Sequence, residues 1–303
     1  MRHLSIFSFI LLFAVNPDLH AQDIEQITIN YTDTLSMDIF VPRGGDKVKP
    51  LLVYVHGGGF SGGTRDSQRN LEFCQYFAER GWVTATISYH LTRKGKGFGC
   101  DVPIQEKIQT FNASARNTHQ AVKHLIDNQD KYQIDPNKVV LAGSSAGAEA
   151  VVQAAYWKET KAGILPDAFK YAGVISMAGA VLDIGWISDS SAIPTQLFHG
   201  TCDPLVPYDM ASHHYCKPVN EGFMTLYGAK AISDKLEHLN KPFYIVTDCN
   251  GGHEWAGKPI GKDYIHLVED FLTTDVINQT HRQTKIVLQE GKSTCDRNFG
   301  FCN

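Results

Sequence analysis

Apolar runs alternate with helical segments along most of the chain. Residues 51–55 form a continuous apolar run, as expected for a strand that is buried on both faces. Further strands are predicted at 82–89, from 139 onward, and at 171–177, 195–198 and 243–247. Helices are predicted at 70–80 and 114–128, from the end of the strand that starts at 139 to about 160, and at 232–239 and 264–271. Because strands that alternate with helices form crossover units, the pattern predicts a mainly parallel sheet between helices.

The flanks of this pattern add local detail. Residues 24–30 and 35–41 alternate as two antiparallel strands would, around a polar turn at 31–34. Ser114 is a suitable N-cap for the helix at 114–128, and Asp135-Pro136 predicts a turn before the strand at 139. Only residues 178–194 separate two predicted strands after the third helix, so we expect no large helical cap.

Composition limits the classes of protein to consider. The 303 residues are 43% hydrophobic and 20% charged, which suits one large domain or two small ones. We find no repeat and no low-complexity linker, so a single domain over 22–303 is the simplest prediction. The net charge is −4 and no basic tract is present, which argues against nucleic acid as a partner. The oligomeric state is left open.

The N-terminus has the pattern of a secretory signal peptide. A basic start is followed by an apolar stretch at 4–15, a helix break at Asn16-Pro17 and a small residue, Ala21, before a cut at Gln22. We therefore predict a signal peptide over 1–21 and a secreted or periplasmic protein. A membrane anchor is the alternative, but the apolar stretch is short for a bilayer, and no later segment is long and apolar enough to cross one.

Seven cysteines agree with export to an oxidising compartment. Because the number is odd, at least one is free or pairs between chains. Cys295 and Cys302 enclose a short loop and form an attractive pair, while Cys202 has Cys216 or Cys249 as partners; the sequence leaves the pairing open. The pair His213-His214 near Cys216 is the closest approach to a metal-ligand cluster, but it has no fourth ligand at useful spacing.

The strongest chemical signal is a Gly-x-Ser-x-Gly pattern directly after the apolar residues 139–142. Ser145 lies between Gly143 and Gly147, and an alanine-rich helical segment follows. Strand, sharp turn and helix in this order are typical of a nucleophile elbow, which exposes a serine hydroxyl at the edge of a sheet. Ser144 is the neighbouring alternative, but only Ser145 is central between the glycines.

Three other segments carry the remaining groups that acyl transfer to a serine would need. Three glycines at 57–59 follow the first buried strand, and free backbone amides there are suited to binding an oxyanion. Asp203 follows the strand at 195–198, and His253 follows the strand at 243–247. The order Ser145, Asp203, His253 is the order expected for nucleophile, acid and base on such a sheet.

Other residues compete for these roles. His56 precedes the glycines and is expected to support their loop, and His199 is expected to be a packed or hydrogen-bonded residue at a strand end. Asp183 and Asp248 are alternative acids, but Asp248 is too close to His253 along the chain for the usual geometry.

With these motifs the chain resembles an α/β-hydrolase of the secreted carboxylesterase type over roughly 35–272. It is similar to hormone-sensitive-lipase-like esterases at 56–59 (HGGG), and closer to feruloyl and acetyl-xylan esterase-like proteins at 199–207 (HGTCDPLVP). It departs from the first group at Ser144, where that group usually has an acidic residue. The resemblance implies a three-layer α/β/α sandwich. It also implies nucleophile Ser145, base His253, acid Asp203, and an oxyanion hole of the Gly58, Gly59 and Ala146 amides.

The expected reaction is ester hydrolysis through an acyl-enzyme on Ser145, without a metal or organic cofactor. An open site on an exported protein favours small esters, or esters attached to polysaccharides, over long-chain fat. Trp255 and Tyr208 are candidate contacts to the substrate, and the loops at 91–111 and 206–231 are candidate walls of its cleft. A serine peptidase of the same fold and a non-catalytic binding module are the alternative functions.

Overall fold

A nine-stranded sheet is the centre of the protein, which a computed structural model describes over residues 23–45 and 47–302. The predicted signal peptide at 1–21 lies outside the described residues. The strands are β1 (Ile24–Asn30), β2 (Ser36–Pro42), β3 (Lys49–Val55), β4 (Val83–Ile87), β5 (Ile134–Ser144), β6 (Gly173–Met177), β7 (Thr195–Gly200), β8 (Met210–Ser212), β9 (Thr225–Tyr227), β10 (Phe243–Asp248) and β11 (Gln283–Leu288). The order in the sheet is β1-β2-β4-β3-β5-β6-β7-β10-β11, and β8 and β9 form a separate antiparallel pair. Strand β2 pairs antiparallel with both β1 and β4, and every other pair of neighbours in the large sheet is parallel, so the predicted mainly parallel sheet is confirmed.

Helices cover both faces of this sheet. They are α1 (Gln68–Ala78), α2 (Ile104–Asp127), α3 (Gln129–Tyr132), α4 (Ala146–Tyr156), α5 (Lys158–Lys161), α6 (Ala229–His238) and α7 (Ile265–Phe271). Apolar side chains of α2, α4 and α6 pack in one core cluster, and those of α1 and α7 pack in the other. The result is the predicted three-layer sandwich.

The central strand β3 explains why its sequence is apolar throughout. Leu51, Val53 and Val55 belong to one core cluster, whereas Leu52 and Tyr54 belong to the other. Successive side chains of a strand point to opposite faces, so a strand between two helical layers needs apolar residues at every position. The carboxyl end of this strand therefore has a fixed position beside β5, and the glycines at 57–59 follow directly.

The segment after β6 contains no large cap. Residues 178–194 connect β6 to β7 and contain one short turn of 3-10 helix, Ile184–Trp186. The edge of the sheet above β5 is thus open on this side, as the length of the segment predicted. Every helix among the described residues is too short or too polar to cross a membrane.

Two local predictions were wrong. Helix α2 begins at Ile104, not at Ser114, whose buried hydroxyl donates to the Phe111 carbonyl inside the helix and caps nothing. The first ten residues of this helix include several polar residues on its exposed face, so the hydrophobic pattern did not indicate a helix there. Asp135-Pro136 lies within β5, where the register with β3 shifts between Lys49 and Leu51, so the expected turn is a bulge in the strand.

Three disulfides link segments that are distant in sequence. They join Cys100 to Cys216, Cys202 to Cys295 and Cys249 to Cys302, while Cys74 is free and buried. Both pairings suggested by the sequence are therefore wrong: Cys295 does not pair with Cys302, and Cys202 pairs with neither Cys216 nor Cys249. The C-terminal segment packs against the loops after β7 and β10. Pairing cysteines by their closeness in sequence could not predict this arrangement.

We predict that peptide mapping without reduction will find these three cross-linked pairs, with Cys74 the cysteine that is alkylated after denaturation. Replacing Cys249 and Cys302 together by serine is expected to lower the free energy of unfolding by about 2–4 kcal/mol, because the bridge restricts the unfolded chain. Denaturant titration measures this loss. A peptide with Cys295 joined to Cys302 would contradict the assignment.

Candidate active site

Ser145 occupies a strained turn between β5 and α4. Its φ is 53° and its ψ −121°, a conformation that few residues other than glycine adopt and that costs about 1–3 kcal/mol. The surrounding structure holds it there: the Ser145 amide donates to the Met177 carbonyl at 2.8 Å, and the Glu149 amide donates to the Ser145 carbonyl at 2.9 Å. The turn places the side chain at the carboxyl edge of the sheet.

Two glycines of the motif are needed because backbones approach closely here. A Cβ atom on Gly147 would lie 2.1 Å from the Val55 carbonyl oxygen, and one on Gly143 would lie 2.2 Å from the Gly147 carbonyl oxygen. Such contacts are far inside van der Waals distance. Helix α4 therefore begins in direct contact with the end of β3, and the elbow is built against the glycine loop.

Ser145, His253 and Asp203 form one hydrogen-bonded chain. The Oγ atom of Ser145 is 2.8 Å from Nε2 of His253, and Nδ1 of His253 is 2.7 Å from Oδ2 of Asp203. The three residues follow β5, β7 and β10, whose carboxyl ends lie at one edge of the sheet. The structure thus brings together the three residues that the sequence singled out.

The carboxyl group of Asp203 is buried and heavily hydrogen-bonded. Its Oδ1 accepts from the amides of Leu205 and Val206 at 2.8 and 3.0 Å, and its Oδ2 lies 3.3 Å from Nε2 of His199. Burial by itself raises the pKa of Asp203, but the hydrogen bonds and charges of His199 and His253 outweigh it and hold this pKa well below its usual range. Asp203 is therefore an anion that faces His253.

The glycine loop has free amides beside Ser145. Gly58 and Gly59 have φ angles of +124° and +60°, and no acceptor within residues 23–45 and 47–302 takes a hydrogen bond from the amides of 57–59. Ala146 is the first residue of α4, so its amide has no acceptor within the helix. Gly58, Gly59 and Ala146 all line one cavity, which also contains Ser145.

His56 supports this loop, as expected. Its Nδ1 donates to the Gly57 carbonyl at 2.7 Å, and its ring stacks on Tyr89 at 4.6 Å. Phe60, at the end of the loop, is fully buried against Tyr89 and neighbouring phenylalanines. The loop is thus anchored from both ends.

The alternative acids have other partners. Buried Asp248 accepts from the amides of Glu290 and Gly291 and from the Trp255 indole at 2.8–2.9 Å. Asp183 caps a turn by accepting from the Gly185 amide. Neither contacts His253, so the hydrogen-bonded chain runs through Asp203.

A cavity of about 480 Å³ opens beside Ser145, a size in the range of small-molecule sites. Its walls include Phe98, Leu205, Val206, His213 and His214. The segments at 91–111 and 206–231 supply all of these except Leu205, which directly precedes the second segment, and the first segment is helical from Ile104. The Cys100–Cys216 disulfide ties the two walls to each other.

The two predicted substrate contacts need correction. Trp255 is fully buried, stacks beside Phe198 and donates to Asp248, so it packs beneath the site. Tyr208 is 2% exposed, and its hydroxyl bonds the Thr247 hydroxyl at 2.7 Å. Neither side chain lines the cavity, because both rings are packed against the body of the protein.

Sequence reasoning missed several residues of this cavity. The histidines at 213 and 214 were considered only as metal ligands, and the sulfur of Cys216 is committed to a disulfide. Glu149 is an acidic residue in a largely apolar helix, one turn after Ser145, and this position is the signal in the sequence that could have identified it. No group of three or more potential metal ligands occurs among the described residues.

The C-terminal segment braces the loop that holds Asp203. Arg297 donates to the Thr201 and Asp203 carbonyls at 3.2 Å, and its guanidinium lies 4.1 Å from the centre of the Tyr215 ring. The Cys202–Cys295 disulfide joins the two segments covalently. The position of the acid thus depends on residues almost one hundred positions later.

Solved structures share this fold. The thermophilic esterase Est2 of the planctomycete Thermogutta terrifontis matches with a TM-score of 0.58 and 16% identity, over 85% of this chain and 93% of that chain. A truncated carbohydrate esterase from gut microbiota matches with a TM-score of 0.60 and 13% identity, over 85% and 98%. The chain therefore has an α/β-hydrolase fold, and the solved structures that share it are titled esterases.

Sequence matches agree with that class. The BD-FAE family model matches residues 37–183, which include the glycine loop and Ser145 but not Asp203 or His253. Gut esterase 1 of Caenorhabditis elegans is 26% identical over 163 residues, and juvenile hormone esterase of Heliothis virescens is 31% identical over 108 residues. These alignments cover 54% and 36% of this chain. They cover only 26% and 18% of the two relatives, so the chain matches about a quarter of the length of the first and less of the second.

We predict that Gly147→Ala disrupts the elbow, because its methyl group would overlap the Val55 carbonyl. The expected result is a lower melting temperature together with loss of any activity that depends on Ser145. Gly300→Ala is the matched control, since a Cβ there meets nothing within 4 Å. Thermal unfolding of both variants measures the effect, and equal melting temperatures would contradict the packing described here.

Proposed function

We propose that the protein is a serine carboxylic-ester hydrolase that acts through an acyl-enzyme on Ser145. The observation that carries the proposal is the hydrogen-bonded chain from Ser145 through His253 to Asp203, beside free backbone amides in one cavity. A serine hydroxyl needs a base, and that base needs a group to orient it. The similarity to named esterases supports the same class of reaction.

In the proposed mechanism His253 transfers protons, Asp203 stabilises its charged form, and backbone amides bind the oxyanion. Nε2 of His253 takes the proton of Ser145 as the hydroxyl attacks the ester carbonyl, and the new imidazolium is stabilised by the Asp203 anion. The amides of Gly58, Gly59 and Ala146 bind the negative oxygen of the tetrahedral intermediate. His253 then gives a proton to the leaving alcohol, and water cleaves the acyl-enzyme by the same steps.

The walls of the cavity favour small ester groups. The volume is about 480 Å³, and no large cap extends the site. We propose small-molecule esters or esters attached to a polysaccharide as substrates. Among the structural relatives one is titled a carbohydrate esterase, which agrees with the second class.

We further propose export of this protein. The N-terminal sequence has the pattern of a signal peptide, and three disulfides among the described residues suit an oxidising compartment.

Replacing Ser145 by alanine tests the proposed mechanism. We expect Ser145→Ala to lose about 10⁶-fold in kcat for p-nitrophenyl acetate, because no other group supplies the nucleophile. Ser144→Ala is the control: the Ser144 hydroxyl donates to the Ala256 carbonyl, away from His253, and this variant should stay far more active. Undiminished hydrolysis by folded Ser145→Ala would refute the mechanism. Cleavage of aminoacyl-nitroanilides without ester hydrolysis would instead indicate a peptidase.

The short segment after β6 predicts the preferred acyl length. We expect a higher kcat/KM for p-nitrophenyl acetate or butyrate than for the palmitate ester, because this segment provides no cap to cover a long acyl chain. Initial rates over the ester series measure this preference. Faster turnover of palmitate than of acetate would contradict the proposed substrate class.

A further inference from the structure

The cavity beside Ser145 contains two buried polar side chains that the proposed mechanism does not use. Glu149 is 2% exposed and His213 is 1% exposed, and both line the cavity. Within the described residues, Oε1 of Glu149 and Nδ1 of His213 have no hydrogen-bond partner. Buried polar atoms nearly always have a hydrogen-bond partner, and a buried atom without one destabilises the fold. Two such atoms on side chains that line one cavity therefore indicate that a ligand binds there.

The placement of Glu149 follows from the elbow. It lies four residues after Ser145, and its amide donates to the Ser145 carbonyl, so it occupies the first turn of α4. Four residues of helix rise about 6 Å, which places Glu149 one turn below the nucleophile. An ester whose carbonyl reaches Ser145 therefore brings a group three or four bonds away into the region of Glu149.

The protonation states suit a neutral ligand group. Burial and the charge of Asp203 raise the pKa of Glu149 well above its usual range, although Lys107 opposes this, so the neutral carboxyl is favoured. Burial, His214 and Lys107 lower the pKa of His213, which is neutral as well. Burial lowers the pKa of Lys107 to about 8, so this buried ammonium stays charged, and it donates to the Gly222 carbonyl.

We propose that Glu149 and His213 form a subsite for a hydroxyl group carried by the ester substrate. A neutral carboxyl group and a neutral imidazole each offer one donor and one acceptor, and a hydroxyl group needs one of each. This inference rests on the proposed ester hydrolysis and narrows its substrates to hydroxylated esters. A purely apolar acyl or alkyl group leaves both polar atoms unpaired.

Two pairs of esters test the subsite, one for each side of the scissile bond. p-Nitrophenyl 3-hydroxybutyrate is compared with p-nitrophenyl butyrate, and glycerol monobutyrate with propyl butyrate. In the wild type we expect kcat/KM to favour the hydroxylated member of at least one pair by about tenfold or more, since a site built to bond a hydroxyl rejects the analogue that lacks it.

Variants assign this preference to the two side chains. Glu149→Leu removes the polar atoms at similar size and should bring the ratio of kcat/KM values close to one, while Glu149→Gln keeps a donor and an acceptor and should retain part of it. Glu149→Leu should also unfold at or above the wild-type temperature, because an unpaired buried carboxyl is gone. His213→Phe tests the subsite independently of Glu149.

The outcomes separate this inference from the proposed function. Hydrolysis of all four esters without discrimination by the wild type would overturn the subsite and leave the esterase intact. A preference that persists in Glu149→Leu and in His213→Phe would overturn it too. Failure to hydrolyse any of the esters would overturn the proposed function, and the subsite with it.

Discussion

The contact between the start of α4 and the end of β3 is the constraint on which the rest of the site depends. At Gly147 the two backbones are so close that a single methyl group has no room. This approach fixes the strained turn at Ser145 next to the glycine loop, so that the serine hydroxyl and the free amides face one cavity. A larger residue than glycine at 147 would push the two segments apart and move the serine hydroxyl away from these amides.

The electrostatics of the site follow from burial. Asp203 is fully buried, yet its carboxylate stays charged because backbone amides and two histidines bind its oxygens. Glu149 is nearly as deeply buried and its Oε1 has no partner among the described residues, so burial raises its pKa and favours the neutral carboxyl. The pKa values of the two carboxyl groups near Ser145 are thus shifted in opposite directions, one by hydrogen-bond partners and the other by burial.

Loops, rather than the sheet, position most of the side chains around the cavity, and covalent links limit their movement. Disulfides connect the two walls to each other and tie the loops after β7 and β10 to the C-terminal segment. Arg297 adds hydrogen bonds to the carbonyls on either side of Cys202. Asp203 and His253 therefore lie on loops that the C-terminal segment holds by covalent and hydrogen bonds.

Local patterns in the sequence determined the layered fold and singled out the residues that meet at the site. Continuous apolar runs, glycines at a sharp turn, and polar residues just past strand ends are each short-range signals. They predicted β3 and the turn at Ser145, and they pointed to Asp203 and His253, which the structure places in hydrogen-bond contact. Features that depend on distant contacts were decided only by the tertiary structure. The cysteine pairing, the burial of Trp255 and Tyr208, and the exposure of Glu149 to the cavity depend on how loops pack across the sheet edge. The disulfides alone join residues 53 to 116 positions apart, and no local pattern of hydrophobic and polar residues predicts such pairings.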